Sequence, residues 1–288
     1  MARPPSALLR STLARSTLAR SALPGFAPAL SVALGWVSLI VVLPLLSLAV
    51  RPWELGLGGV VQSLAEPRVL AALRVSFGTA AIAAAVNVPF GLLIAWVMVR
   101  YRFPGRGLAD SLIDMPLALP TAVAGIALTA LFSAKGWIGA WLAPLGIKVA
   151  YTPLGIVVAL VFVGLPFVVR TLEPVLMDLP LEAEEAAATL GASRSQTLRR
   201  VVLPALAPAL LAGFAAALAR GVGEYGSVIF IAGNMPMISE IAPLLIVIRL
   251  EQLNYAGAAA LGLLMLAISF AILLLLNALQ GRLRRSEA

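Results

Sequence analysis

Six stretches of this chain carry no charge and are dominated by apolar side chains: residues 21–50, 75–99, 115–134, 149–169, 201–219 and 252–281. A helix needs about 20 apolar residues to cross a hydrocarbon core, and each stretch is near or above that length. The pattern predicts an all-α integral membrane protein with six transmembrane helices. The fifth is the least clean, because Arg220 and Glu224 follow it directly and apolar sequence then resumes to Ile231. Residues 237–250, MISEIAPLLIVIRL, are also apolar, but Glu240, Pro243 and Arg249 interrupt them. They read as an interfacial or re-entrant helix on the outer side, able to cover or line a pathway.

The segments between the runs set the orientation. With the N-terminus inside, fourteen arginines fall on the inner side. Six basic residues fall outside: Arg51, Arg68, Arg74, Lys135, Lys148 and Arg249. Basic loops stay in the cytoplasm, so both termini are expected there. Residues 1–24 contain the duplication STLARSTLAR and no acid, and they read as a basic, disordered tail. Residues 25–285 read as one membrane domain.

Composition sharpens the class. Of 288 residues, 61% are hydrophobic and 12% charged, with a mean hydropathy of +1.01, so the solvent must be mostly lipid. Cysteine and histidine are absent, which removes disulfides, thiol nucleophiles and imidazole chemistry. The net charge of +8 is spread over arginines at the ends of apolar runs. That is a pattern of membrane orientation rather than of a nucleic-acid face. The only lysines, Lys135 and Lys148, are followed by Gly136 and Val149, so there is no phosphate loop to bind ATP. Asp110 and Asp114 stand four residues apart beside Arg106, where a helix-dipole role is expected.

One polar segment, residues 178–203, is larger than a connector needs to be. Asp178 is placed to cap a helix with Pro180 in its early turn. Glu182, Glu184 and Glu185 favour that helix's positive end, and Ala186, Ala187 and Ala188 give it high propensity with little bulk. Gly191 supplies a left-handed terminus. Ser193 and Gln196 form a capping box for a second short helix, which Arg199 and Arg200 close before Leu203 and Pro204 lead back to the membrane. Two short helices around a glycine turn, small on one side and charged on the other, are suited to docking.

Within this segment, Glu185-Ala186-Ala187, then Gly191 after three intervening residues, then Val201, Leu203 and Pro204 resemble the EAA signature of bacterial ABC importer permeases. Only Val201, where that signature has Ile, departs from it. The resemblance implies a type I importer permease fold in which the segment is a cytoplasmic coupling helix seated in a groove of a separate ATPase. Glu185, Ala186, Ala187 and Gly191 would make the contact, with Leu203 and Pro204 completing the motif. Downstream, RGVGEYGSVIFIAGNMPMISEI (220–241) and IRLEQLNYAGAAA (248–260) resemble the sulfate/thiosulfate permease branch, with molybdate or tungstate permeases as the nearest alternative. The resemblance spans about residues 25–285. It implies a second homologous permease, two ATPase subunits and a periplasmic or lipoprotein sulfate-binding protein. It also implies ATP and Mg on the ATPase, none on this chain, and a bacterial inner-membrane location.

Arg220 and Glu224 stand four residues apart in the fifth helix among three glycines. Ionisable groups at membrane depth are costly and face protein or water. The pair fits two roles: an ion pair that anchors packing, or a pathway lining in which Arg220 offers charge to a dianion. Asn234 is a third candidate for a pathway or gate. An ion-driven carrier acting alone would leave the Glu185–Pro204 spacing without an account, and a purely structural scaffold would tolerate changes at the pathway residues without loss of uptake.

Overall fold

The computed structural model describes residues 26–286, so the proposed N-terminal tail lies outside the described residues. The chain divides into two compact units at Val50 and Arg51. The first contains α1 (Phe26–Val37), a π-helical turn (Ser38–Val42) and α2 (Leu43–Val50). It is apolar throughout, and its large side chains, Trp36, Leu39 and Leu46 among them, stand exposed, as suits a helix solvated by hydrocarbon.

The second unit opens with a 3₁₀ turn (Arg51–Leu55) and α3 (Gly56–Leu64). Then come α4 (Pro67–Arg100), α5 (Arg106–Ala118), α6 (Thr121–Phe132), the single turn α7 (Gly139–Leu142) and α8 (Pro153–Asp178). The chain continues with α9 (Leu181–Thr189), α10 (Arg194–Thr197), a π turn (Leu198–Val202) and α11 (Leu203–Val222). It ends with α12 (Val228–Ile231), α13 (Ala242–Glu251) and α14 (Tyr255–Ser286). There is no strand among the described residues.

Five segments are long and apolar enough to span a membrane: Pro28–Leu64, Pro67–Arg100, Pro153–Asp178, Arg194–Val222 and Tyr255–Arg282. The expected third span is not one straight helix. It is α5 and α6, bent by 109°. Leu119 and Pro120 are extended at the corner, because the residue before a proline avoids the α region and Pro120 has no N–H to continue the ladder.

The core of the second unit is the contact of α4, α8 and α11. Lipid offers no hydrophobic drive between helices, so close van der Waals packing of small residues holds them. Ala72, Ala80, Ala83, Ala84 and Ala95 line the buried stripe of α4, while Ile82, Phe90, Leu93 and Val97 point outward. At Gly91 a β-carbon would sit 2.6 Å from Val168 Cγ1 of α8, so the two helices meet there only because residue 91 has no side chain.

Charged residues tie the elements together at both ends. Glu240, 2% exposed, accepts two hydrogen bonds from Arg68 at 2.7 and 2.8 Å. Arg249 donates to Ser63 Oγ (3.1 Å), Gly257 O (2.9 Å) and Glu66 Oε2 (3.0 Å). Glu240 and Arg249, which seemed to interrupt segment 237–250, are therefore buried anchors, and α13 is a ten-residue helix packed against α4 and α14. At the other end Arg170 of α8 holds Asp114 through two bonds of 2.9 and 2.6 Å, Asp110 at 2.8 Å and Glu173 at 2.7 Å. This corrects the helix-dipole reading of Asp110 and Asp114: both are ion-pair partners that fasten α5 to α8.

Candidate functional site

Leu179 is the residue before Pro180 and is extended (φ −74°, ψ 114°). That ends α8 at Asp178 and starts α9 after Pro180. Asp178 is thus the last residue of one helix rather than the cap of the next, and Pro180 itself occupies the capping position without a side-chain bond. The acids Glu182 and Glu184 fall in the first turn of α9, where its dipole favours them.

The far end of α9 is closed as the sequence implies. Gly191 has φ +81°, its N–H reaches Ala188 O at 3.0 Å, and Ala192 N–H reaches Ala187 O at 3.0 Å. This pair of bonds is the Schellman arrangement, which needs a left-handed residue at the glycine. Ser193 and Gln196 make the reciprocal capping box: Ser193 N–H donates to Gln196 Oε1 at 2.8 Å, and Gln196 N–H donates to Ser193 Oγ at 3.4 Å.

The second helix does not close at Arg199 and Arg200. It continues through the π turn into α11, one helix from Arg194 to Val222. Pro204 has no N–H to offer the carbonyl four residues back, and the Leu203 N–H reaches instead to Leu198 O in the wider turn. The compact unit is therefore α9 with its glycine turn, and Leu203 and Pro204 stand apart from it at the root of the membrane helix. Glu185, Ala186 and Gly191 are exposed and Ala187 is half-buried.

Two residues of this unit escaped the sequence reading. Leu190, at the tip of the turn, is 88% exposed; a lone leucine beside the capping glycine was the available signal. Arg100, at the end of α4, donates to Glu184 Oε1 at 2.9 Å and to Leu179 O at 3.2 Å, and stacks over the Trp96 ring at 5.6 Å. Nothing local in the sequence links residues 84 positions apart.

Arg220 and Glu224 form an ion pair at 2.5 Å, with the Glu224 side chain 3% exposed and that of Arg220 33% exposed. They do not share one helix face, because α11 ends at Val222 and Glu224 folds back from the following turn. The other Glu224 oxygen accepts from Ser227 N–H and Oγ, both at 3.0 Å. Desolvating a carboxylate this deeply requires these partners. Asn234 is bonded to a different partner. With φ +53°, it donates to Ile229 O at 2.8 Å, while its Oδ1 is buried without a partner.

The chain thus has an apolar helical core, an exposed α9 unit closed by its glycine turn, and an ion pair with a buried carboxylate at the end of a spanning helix. Residues 87–285 match the family of binding-protein-dependent transport system inner membrane components, and the chain belongs to that family. It is 51% identical over 246 residues to the sulfate transport system permease protein CysT of Synechococcus elongatus, covering 85% of this chain and 88% of that one. The Escherichia coli protein of the same name is 48% identical over 263 residues, covering 91% and 95%.

Among solved structures, a bacterial ABC transporter that imports alginate superposes with a TM-score of 0.74 at 15% identity, over 96% of this chain and 99% of that one. A bacterial alginate ABC transporter in complex with an alginate pentasaccharide-bound periplasmic protein superposes with a TM-score of 0.74 at 16% identity, over 95% of this chain and 97% of that one. The MetNI methionine ABC transporter superposes with a TM-score of 0.53 at 17% identity, over 76% and 95%. These likenesses establish the importer permease fold, and members of the family are transport subunits, not enzymes.

Proposed function

We propose that this chain is a membrane-spanning subunit of an ATP-driven importer that carries sulfate, with thiosulfate as a second cargo, across a bacterial inner membrane. The observation that carries the cargo is the identity of about half of all aligned residues with sulfate permeases along most of the chain. A molybdate or tungstate cargo has no comparable support. Both termini lie in the cytoplasm in this reading, which places α9 and Gly191 there too.

The partners are a second homologous permease, two ATPase subunits that bind ATP and Mg, and an extracytoplasmic sulfate-binding protein. Glu185, Ala186, Ala187, Leu190 and Gly191 dock the ATPase. The small side chains let two backbones approach, and Leu190 offers the apolar contact. Closure of the ATPases moves α9, and the Arg100–Glu184 pair passes that motion to α4. The permease pair then exchanges inward- and outward-facing states by alternating access. Arg220, Glu224 and Asn234 belong to the pathway or its gate. Selectivity resides mainly in the binding protein, because a permease that held its cargo tightly would release it slowly.

Deleting the gene for this chain tests the cargo. The strain is expected to lose growth on sulfate and keep growth on cysteine as sole sulfur source. Unchanged growth on sulfate, with loss of molybdate uptake instead, contradicts the assignment.

A further inference from the structure

A cleft of about 710 Å³ opens between the inner half of α4 and the helix that runs from Arg194 through the π turn. That volume is in the range of small-molecule sites, ~300–1,000 Å³. One wall is Pro89, Leu92, Leu93 and Trp96, which recur at three- and four-residue spacing along one edge of α4; the other is Arg194, Leu198 and Val202. Both walls are apolar deep in the cleft and polar at one end, where Tyr101, Thr197 and Arg194 gather.

The depth of the cleft identifies its solvent. From Pro89 to Arg100 the helix rises about 16 Å, close to half of a ~30 Å hydrocarbon core. The cleft therefore runs from the bilayer middle to one surface, the length of one acyl chain. It is open sideways, since Leu93 and Leu198 are exposed, so an occupant can enter from the membrane. The charge at the rim is also one-sided. Glu184 lines the cleft, but Arg100 neutralises it at 2.9 Å. Arg194 has no carboxylate partner among the described residues. Arg199 and Arg200 follow one turn on, both exposed.

An apolar slot one leaflet deep, rimmed by a tyrosine and an unpaired arginine, matches one chemistry. We infer that the cleft binds a phospholipid of the cytoplasmic leaflet with an anionic headgroup, its acyl chain along Leu92, Leu93 and Val202 and its phosphate at Arg194. Basic residues beside membrane helices at the cytoplasmic surface select such headgroups. The lipid would sit against α9, the unit assigned above to ATPase docking, and so couple membrane composition to that docking. The inference rests on the cytoplasmic placement of α9 but not on the cargo.

The test is lipid retention by the full transporter, purified with its partners and weighed by native mass spectrometry after titration with phosphatidylglycerol or phosphatidylcholine. Wild type is expected to keep phosphatidylglycerol at least threefold better than phosphatidylcholine. Arg194→Gln should abolish the preference, and Leu93→Trp, which fills the slot from its open side, should reduce retention of both. Equal retention of the two lipids by wild type, or unchanged retention in both variants, overturns the proposal. Loss of the permease pair in Leu93→Trp overturns it too, because the occupant is then a protein helix. Sulfate uptake is measured separately, so a wrong cargo and an empty lipid site give different results.

Discussion

Arg100 and Glu184 meet at 2.9 Å, joining the C-terminal end of α4 to the first turn of α9 across 84 residues of sequence. Both side chains are largely buried, at 14% and 23% exposure, and the guanidinium also holds Leu179 O. The α9 unit is thereby tied to the helical core rather than left on a loose loop.

Reversing one partner should break this tie. Arg100→Glu is expected to lower uptake severalfold, and adding Glu184→Arg should restore much of it. A double-mutant cycle should give a coupling energy of about 1–2 kcal/mol, within the range for residues in contact. Additive losses would mean that the pair transmits nothing.

At the tip of the unit, Gly191→Asp should cost about 1–2 kcal/mol of local strain, because a side chain at φ +81° is disfavoured. It also places an acid on the proposed docking face. Glu185→Lys reverses a charge there without touching the backbone. In proteoliposomes both variants should keep ATP hydrolysis while sulfate uptake falls at least tenfold. Wild-type uptake in either variant sinks the coupling role.

The helix contact at Gly91 gives a prediction about stability alone. Gly91→Ala puts a methyl group 2.6 Å from Val168 Cγ1, and overpacking of this kind costs about 1–3 kcal/mol. The purified chain should melt several degrees lower, and Val168→Ala should recover part of the loss. An unchanged melting temperature would show that α4 and α8 are free to separate there.

Arg220→Ala should cut sulfate uptake and leave assembly with the ATPase intact. Co-purification followed by transport reads both. If the variant fails to assemble, the Arg220–Glu224 pair is a packing anchor, since removal leaves Glu224 buried with only Ser227 for support.

What the sequence revealed depended on how local each feature is. Hydropathy located the five helices long and apolar enough to span, because lipid demands about 20 apolar residues in a row. The Gly191 terminus and the Ser193–Gln196 box were readable because each is closed within a few residues. The bend at Leu119–Pro120 was hidden, since both arms are apolar and hydropathy does not report direction. Asp178 was misassigned because an N-cap and a C-terminal residue look alike until Pro180 fixes the break. The pairs Arg68–Glu240, Arg249–Glu66 and Arg170–Asp114 were out of reach, because spacing along a chain says nothing about partners on other helices. Glu240 and Arg249 had looked like interruptions and Asp114 like a dipole charge, and only the fold made them anchors.

The most direct measurement is uptake of radiolabelled sulfate by proteoliposomes holding this chain, its permease partner and the ATPases, with the binding protein on the opposite side from the ATP. Sulfate should accumulate only when ATP, ATPase and binding protein are all present, and Gly191→Asp should abolish accumulation while hydrolysis continues. Sulfate uptake that persists without the ATPase, or ATP-driven uptake of molybdate with none of sulfate, would contradict the account.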